Sequence, residues 1–458
     1  MDSFCKLYYC LIMYLVSRVT RTSSFVLTFI SLIRPFACSR SFAFFVCSLA
    51  VCQQVSAQRH QVFSENIASL QVVAGTRWME IPVIQLGGPE VVNISFDDLT
   101  HEYRRYTYKV EHCEADWTLS EGLFASEYIS GFALDNLIED IEESLNTNVL
   151  YTHYRLQIPN RQCQLKMSGN YRLTVFDEND DETPVLSACF MVSDGAMSVS
   201  LQATTNTDVD VNNRHQQIEM KLNLNNTIVV NPAEQIKTVV MQNGRWDNAK
   251  VNAKYQYNKV GSLEWNHCRE LIFNAGNEYR KFEVLDVNRP SMGVDRMRWD
   301  GEYVHAHLFV DEPRRNYVYD EDANGAFYIR NSDNYENDRL SDYVLVHYTL
   351  KCDRPVDGRV FINAMWTNDR FEPQYEMEYN EELGQYEAVV FQKLGYYSYQ
   401  YVMIDRDGAV RTMPTEGDFY ETENSYQALV YYRGQSDRTD RLVAYQNIRY
   451  NLKNTTHR

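Results

Sequence analysis

Three features of the sequence predict a mostly β chain built from tandem immunoglobulin-like β-sandwich domains, with a short helical insertion in the first. Apolar and polar residues alternate with period two in many separate segments. A Gly-x-Tyr-x-Leu-x-Val strand at 169–175, an acidic turn and a strand at 185–192 look like the closing hairpin of such a sandwich. Late in the chain, Gly395-Tyr396-Tyr397-Ser398-Tyr399-Gln400-Tyr401 repeats the device of a glycine followed by alternating tyrosines.

In chain order, residues 1–57 form a leader. It holds apolar runs at 25–33 and 42–52, separated by Arg34 and Arg40, and ends in Val55-Ser56-Ala57. Basic residues, an apolar core of about a dozen residues and a small-residue site make a secretory signal, with cleavage between Ala57 and Gln58. Neither run reaches the ~20 residues of a spanning helix. Leu49-Ala50-Val51-Cys52 leaves lipidation of Cys52 as an alternative, although Val51 stands where such signals want Gly, Ala or Ser.

The first sandwich is expected over 58–194. Its strands are read at 78–84, 92–96, 106–110, 154–158, 168–175 and 185–192, and Tyr171 is placed at a corner with its hydroxyl tied to nearby backbone. Leu134, Leu137, Ile138, Ile141 and Leu145 recur at helical spacing among acids, which predicts the inserted amphipathic helix. A second sandwich is expected over 195–312, with strands at 199–203, 218–224, 236–242, 279–287 and 303–310. Residues 313–340 form a connector in which 317–319 and 327–329 flank Asn324-Gly325, a hairpin signal. A third sandwich is expected over 341–448, opening at 343–350 and closing with the strand at 428–432. Residues 449–458 form a polar tail.

Removing the leader takes five basic residues and one acid from totals of 44 and 62, leaving a net charge of about −22. Such a surface repels phosphate backbones, so nucleic acid and anionic lipid are not the expected partners. The 401 residues from 58 to 458 suit three domains of about 100–150 residues each. Five of the ten cysteines lie beyond the leader: Cys113, Cys163, Cys189, Cys268 and Cys352. They are widely spaced without CxxC and are expected to be isolated buried thiols.

Glu111-His112-Cys113-Glu114-Ala115-Asp116-Trp117 carries the most chemistry in the fewest residues. The phase of Tyr106, Tyr108 and Val110 sends His112 inward and Cys113 outward, so the pair cannot converge on one metal. Asp320-x-Asp322-x-Asn324-Gly325 imitates a calcium loop, but its twelfth position is Asn331 instead of Glu. His305-Ala306-His307 puts two imidazoles on one strand face with no third ligand fixed beside them. There is no HExxH, GxSxG, P-loop or GxGxxG after a strand. No catalytic residue, metal ligand or cofactor is therefore assigned, and the chain is not expected to be an enzyme. A glycosidase carboxylate pair, which leaves no linear signature, is the third-ranked alternative.

Several motifs occur in order: His112-Cys113-x-x-Asp116-Trp117, Ser144-x-Asn146-Thr147, Tyr151-x-x-Tyr154, Ser168-Gly169-Asn170-Tyr171, Gln242-Asn243-Gly244-Arg245-Trp246-Asp247-Asn248, Asn274-Ala275-Gly276-Asn277-Glu278-Tyr279-Arg280 and Glu416-Gly417-Asp418-Phe419-Tyr420-Glu421-Thr422-Glu423-Asn424. Together they resemble the plug protein family of the type IX secretion system, over about residues 62–446. The resemblance implies a non-enzymatic periplasmic protein at the inner face of the outer membrane, monomeric apart from its complex. Its implied partner is a giant outer-membrane translocon β-barrel, whose periplasmic mouth it seals. The resemblance fixes no partner-binding residues. The rival reading is a periplasmic glucan-binding protein, because the third block resembles early-set sandwiches and offers Trp366 as a sugar platform.

Overall fold

The computed structural model describes residues 60–451. Cys52, the cleavage site expected at Ala57 and Gln58, and the end of the polar tail lie outside the described residues.

The first sandwich pairs two sheets. One runs Gln61–Val62, Asp180–Ser193, Gly169–Asp177, Tyr106–Cys113, Asn136–Leu137, with Val83–Gln85 added parallel to Asp180–Ser193. The other runs Ile67–Ala74, Val92–Asp98, Thr152–Ile158, Asp140–Glu143. Alternation along each strand sends one set of side chains into a shared core, where Phe96 stacks on Tyr154 and Tyr171 on Phe190.

The helix expected across 134–145 does not form. Asn136–Leu137 and Asp140–Glu143 are short edge strands, one on each sheet. Asp135 and Asn146, both with left-handed backbone (φ 56° and 58°), bend the chain at either end. Ile138 is buried, whereas Leu134 and Leu145 are exposed. The acids that looked like a helix's polar face meet Arg155, which pairs with Asp140 and Glu142 across the sheet. An isolated helix this short is marginal, and two open sheet edges offered its backbone better hydrogen bonds. The helical element of this sandwich is instead the four-residue Ala125–Tyr128.

The second sandwich is assembled from two distant stretches. Ser198–Thr204, His215–Asn223, Ser262–Trp265 and Tyr257–Lys259 form one sheet, with Ile272–Asn274 also on His215–Asn223. Lys250–Val251, Ile236–Gln242, Asn424–Tyr432 and Arg441–Tyr450 form the other. The strand read at 428–432 therefore pairs with Ile236–Gln242 and not with the third block.

The third core is enclosed by one long curled sheet: Arg280–Val284, Gly395–Asp405, Gly358–Asn363, Glu376–Asn380, Gln385–Lys393, Tyr343–Lys351, Val304–Leu308, Val294–Trp299. The strands read at 279–287 and 303–310 belong here. The hairpin expected in the connector is absent among the described residues: Phe327–Ile329 pairs with Gly395–Asp405 instead of with 317–319. Asn324-Gly325 does turn, with both residues at positive φ, but Tyr317 is drawn away to donate to the Glu278 carboxylate at 2.6 Å.

One device recurs. The Tyr171 hydroxyl donates to the Met167 carbonyl (2.8 Å), as expected of a tyrosine corner, and the Tyr397 hydroxyl donates to the Lys393 carbonyl (2.6 Å) four residues upstream in the same way.

Candidate functional site

The cluster Glu111–Trp117 resolves into a joint. His112 and Cys113 do point to opposite faces of their strand, and both faces are covered. His112 lies edge-on to Tyr171 in the first core. Its Nε2 faces the Ser168 carbonyl (3.2 Å) and its Nδ1 the Ser120 hydroxyl (2.8 Å), which puts the proton on Nε2. Burial lowers its pKa below the ordinary imidazole value. Gly169 (φ 145°) fits against this ring, since a Cβ there would stand 2.3 Å from Nε2.

Cys113 belongs to a separate apolar cluster that fuses the first and second sandwiches. Cys113, Trp117, Cys189 and Met191 pack against Met241, Leu429, Tyr431 and Leu442, and Trp117 meets Trp246 edge-to-face at 5.8 Å. Polar groups close its rim. The Asp440 carboxylate accepts from Ala115 N–H and pairs with Lys237 (2.7 Å) and Arg433 (3.1 Å). Glu114 also pairs with Arg433, and Asn170 accepts from the Tyr431 hydroxyl (2.8 Å).

The first and third sandwiches meet through buried charge. Asp97 and Lys393, with side chains 0% and 1% exposed, pair at 2.6 Å. Asp97 also bonds the His153 Nδ1 and accepts from the Tyr343 hydroxyl, both at 2.5 Å. The Lys393 ammonium sits 4.1 Å over the Tyr151 ring and donates to the Asp338 carbonyl. Burial works against the Asp97 charge, but Lys393 and His153 more than offset it, holding the carboxyl below its usual range. Nearby, Asp342 caps the backbone N–H groups of Asn148 and Val149.

The second and third sandwiches are tied by the two chain crossings between them. Buried Arg280 pairs with Asp311 (2.7 Å) and Glu416 (2.8 Å) and donates to the Glu312 carbonyl. Asn277 donates to the Glu416 carbonyl, and Gly276 N–H to Asp418. Glu278 accepts from Tyr317 and from Glu423 N–H; Asp322 accepts from the N–H groups of Tyr279 and Asn324. Burial raises the pKa of both carboxyls to about 7.

At the node of all three, Asn243 (φ 55°) and Gly244 (φ 68°) turn the chain so that Trp246 N–H reaches Asp369 (2.9 Å). The crevice there, bordered by Trp78, Trp117, Arg245 and Trp246, encloses about 100 Å³. That is room for a few waters, below the ~300 Å³ at which small-molecule pockets begin.

The other clusters weighed in the sequence are engaged within the fold. Asp322 is engaged by backbone, and Asp320 pairs with Lys281 (2.6 Å). His305 and His307 do share a face, where His347 joins them from the neighbouring parallel strand. Among the described residues no group of three or more His, Cys, Asp or Glu is disposed to hold a metal ion. Four of the five described cysteines are buried, and burial pushes the thiols of Cys113, Cys163 and Cys189 up to about 12. Trp366 is half-buried against Tyr348, Tyr375 and Tyr397 and donates to the Ser398 carbonyl, so it is packed into the third core.

Asp97, His153, Lys393, Tyr343 and Asp311 carry joints, yet none of them stands in a sequence motif that points to this role. Asp97 and Lys393 lie 296 residues apart, and no linear pattern links them. Arg280 and Glu416 do stand within the ordered motifs, but nothing in those motifs pairs the two charges, which lie 136 residues apart.

Sheets and joints together define a class: a multi-sandwich β protein whose charged and aromatic clusters hold three cores in one body. The family model for the type 9 secretion system plug protein 1st domain matches residues 67–194, the first sandwich. The crystal structure at 2.30 Å of a hypothetical protein from Parabacteroides merdae ATCC 43184 is similar over 86% of this chain and 99% of its own, at 37% identity and a TM-score of 0.83. No curated protein matches. The chain belongs to the type IX secretion system plug protein family.

Proposed function

We propose that this chain is a non-enzymatic plug that binds the periplasmic mouth of an outer-membrane translocon barrel and seals it between transport events. The observation that carries the reading is where the ordered motifs lie. Glu111–Trp117, Ser168–Tyr171, Gln242–Asn248, Asn274–Arg280 and Glu416–Asn424 all sit at joints between sandwiches. A seal works by shape, so residues that fix three cores in one arrangement serve it as a catalytic constellation serves an enzyme. An interface above ~1,000 Å² on such a body gives slow dissociation without any reacting group.

The signal expected before Gln58 routes the chain to the periplasm, and its partner keeps it at the inner face of the outer membrane. Outside that complex it is a monomer. The net charge of about −22 after residue 57 favours a neutral or basic rim on the barrel and association that weakens with salt.

Affinity capture from detergent-solubilised outer membranes tests this. Recovery of one very large barrel protein is the expected result, together with increased outer-membrane permeability in cells lacking the chain. Capture without such a barrel, or unchanged permeability on deletion, overturns the reading.

A further inference from the structure

The third sandwich ends in an open edge, and its chemistry is unlike the rest of this acidic chain. Val294–Trp299 terminates the long sheet and, among the described residues, pairs with Val304–Leu308 alone. A register shift between Val294 and Arg296 marks a bulge, after which Arg296, Met297, Arg298 and Trp299 continue as a regular ladder.

Register sorts these four side chains. Arg296 stands opposite His307 and Arg298 opposite His305, on the outer face of the sheet. His347, level with His307 on the next strand, extends the same row. Met297 stands opposite Ala306 and Trp299 opposite Val304, so these two belong to the core side. Met297 is packed against the core, whereas Trp299, the last residue of the edge strand, is 53% exposed.

We propose that this edge takes up an extended segment of a partner protein in which acidic and apolar residues alternate, added as a further strand beside Val294–Trp299. Backbone groups of the edge supply the ladder, the partner's carboxylates face Arg296 and Arg298, and its apolar residues cover Trp299 on the other side. The two arginines also select the occupant. Laid against a second copy of this edge they repel, and a basic strand meets the same penalty. Arg296 is 64% exposed, and the acid beside it is its neighbour Asp295 (3.3 Å), an exposed pairing that competes weakly.

The imidazole row is a polar floor, not the source of charge. His305 bridges His347 (2.7 Å) and Asp300 (2.8 Å). Burial first, then the neighbouring charges, holds His347 down to about 4 and His307 below its ordinary value; Glu387 and Asp295 act in the opposite sense on these two. At neutral pH the guanidiniums of Arg296 and Arg298 carry the attraction.

The test uses the chain from Gln58 onward and fluorescence anisotropy with three labelled decapeptides. One alternates Glu and Val, one alternates Lys and Val, and one is the Glu/Val peptide with alternate amides N-methylated. The unmodified Glu/Val peptide is expected to bind at least tenfold more tightly than either of the others. Arg296→Glu/Arg298→Glu, exposed positions that leave the core intact, is expected to weaken it at least tenfold while circular dichroism and thermal midpoint stay unchanged. Equal binding of Glu/Val and Lys/Val peptides, or undiminished binding to the double variant, overturns the proposal. Equal binding of the N-methylated peptide overturns strand addition in particular.

Discussion

The first sandwich meets its two neighbours by opposite chemistry. Toward the second it presents a sheet face of Cys113, Trp117, Cys189 and Met191, and the union is an apolar core with ion pairs at its rim. Toward the third it presents Asp97, His153 and Tyr151, and the union is a buried charge network with Lys393 and Tyr343. The apolar joint responds to small changes of shape gradually, weakening with the apolar area that each one uncovers. The charged joint is all-or-none, because removing one partner leaves an uncompensated ion in a dry site. A body joined in both ways is fixed in register by charge and stabilised over area by burial.

Lys393→Met breaks the charged joint most severely. It leaves Asp97 buried without its ammonium partner and should cost about 3–5 kcal/mol in urea denaturation. Adding Asp97→Asn to that variant should recover part of the loss, which a purely steric defect would not allow. Trp117→Ala tests the apolar joint and should cost about 3–5 kcal/mol through the cavity left beside Trp246, with Trp117→Phe losing much less. If Lys393→Met proves milder than Trp117→Phe, the contrast between the joints fails.

The joint between the second and third sandwiches sharpens the comparison through pH. Glu278 and Asp322 titrate near 7 in the folded chain because burial disfavours their charge. In the unfolded chain both release their protons around pH 4. The folded state therefore binds more protons across that interval, so this contribution favours folding most below pH 4 and is lost as pH rises through about 7. Glu278→Gln, which keeps an acceptor for Tyr317, should match the wild type near pH 4. At pH 8 it should exceed it by about 1–3 kcal/mol, since one pKa unit corresponds to about 1.4 kcal/mol. The smallest effect is expected at the rim of the apolar joint. Arg433→Ala should cost about 1 kcal/mol or less, because the guanidinium is partly exposed and Asp440 keeps Lys237. Raising salt should shrink that difference further.

Much of the fold was legible, for local reasons. Gly169-Asn170-Tyr171 announced a corner, and its hydroxyl bond reaches back four residues to Met167, in the bend just before the strand. The opposite facing of His112 and Cys113 followed from strand phase alone. The misreadings arose where partners are distant. Five apolar residues across 134–145 satisfied a helical period, but Arg155 and two open sheet edges decided for strands. Asn324-Gly325 specified a turn and could not specify which strand Phe327 would join. Cys113 was read as outward, which is right for its own sandwich; a second sandwich covers that face.

By itself the sequence determined the β character, the alternating core faces, the tyrosine corner and, through its motifs, the family. These depend on the pleat and on residues a few positions apart, where covalent geometry fixes direction. The tertiary structure decided that Asn424–Tyr432 returns to the second sandwich, that Asp97 finds Lys393, and that Arg280 is held between Asp311 and Glu416. Those pairings join residues tens to hundreds of positions apart. They are selected when whole faces are buried together, since only then does an unpaired charge or an uncovered face carry its full cost.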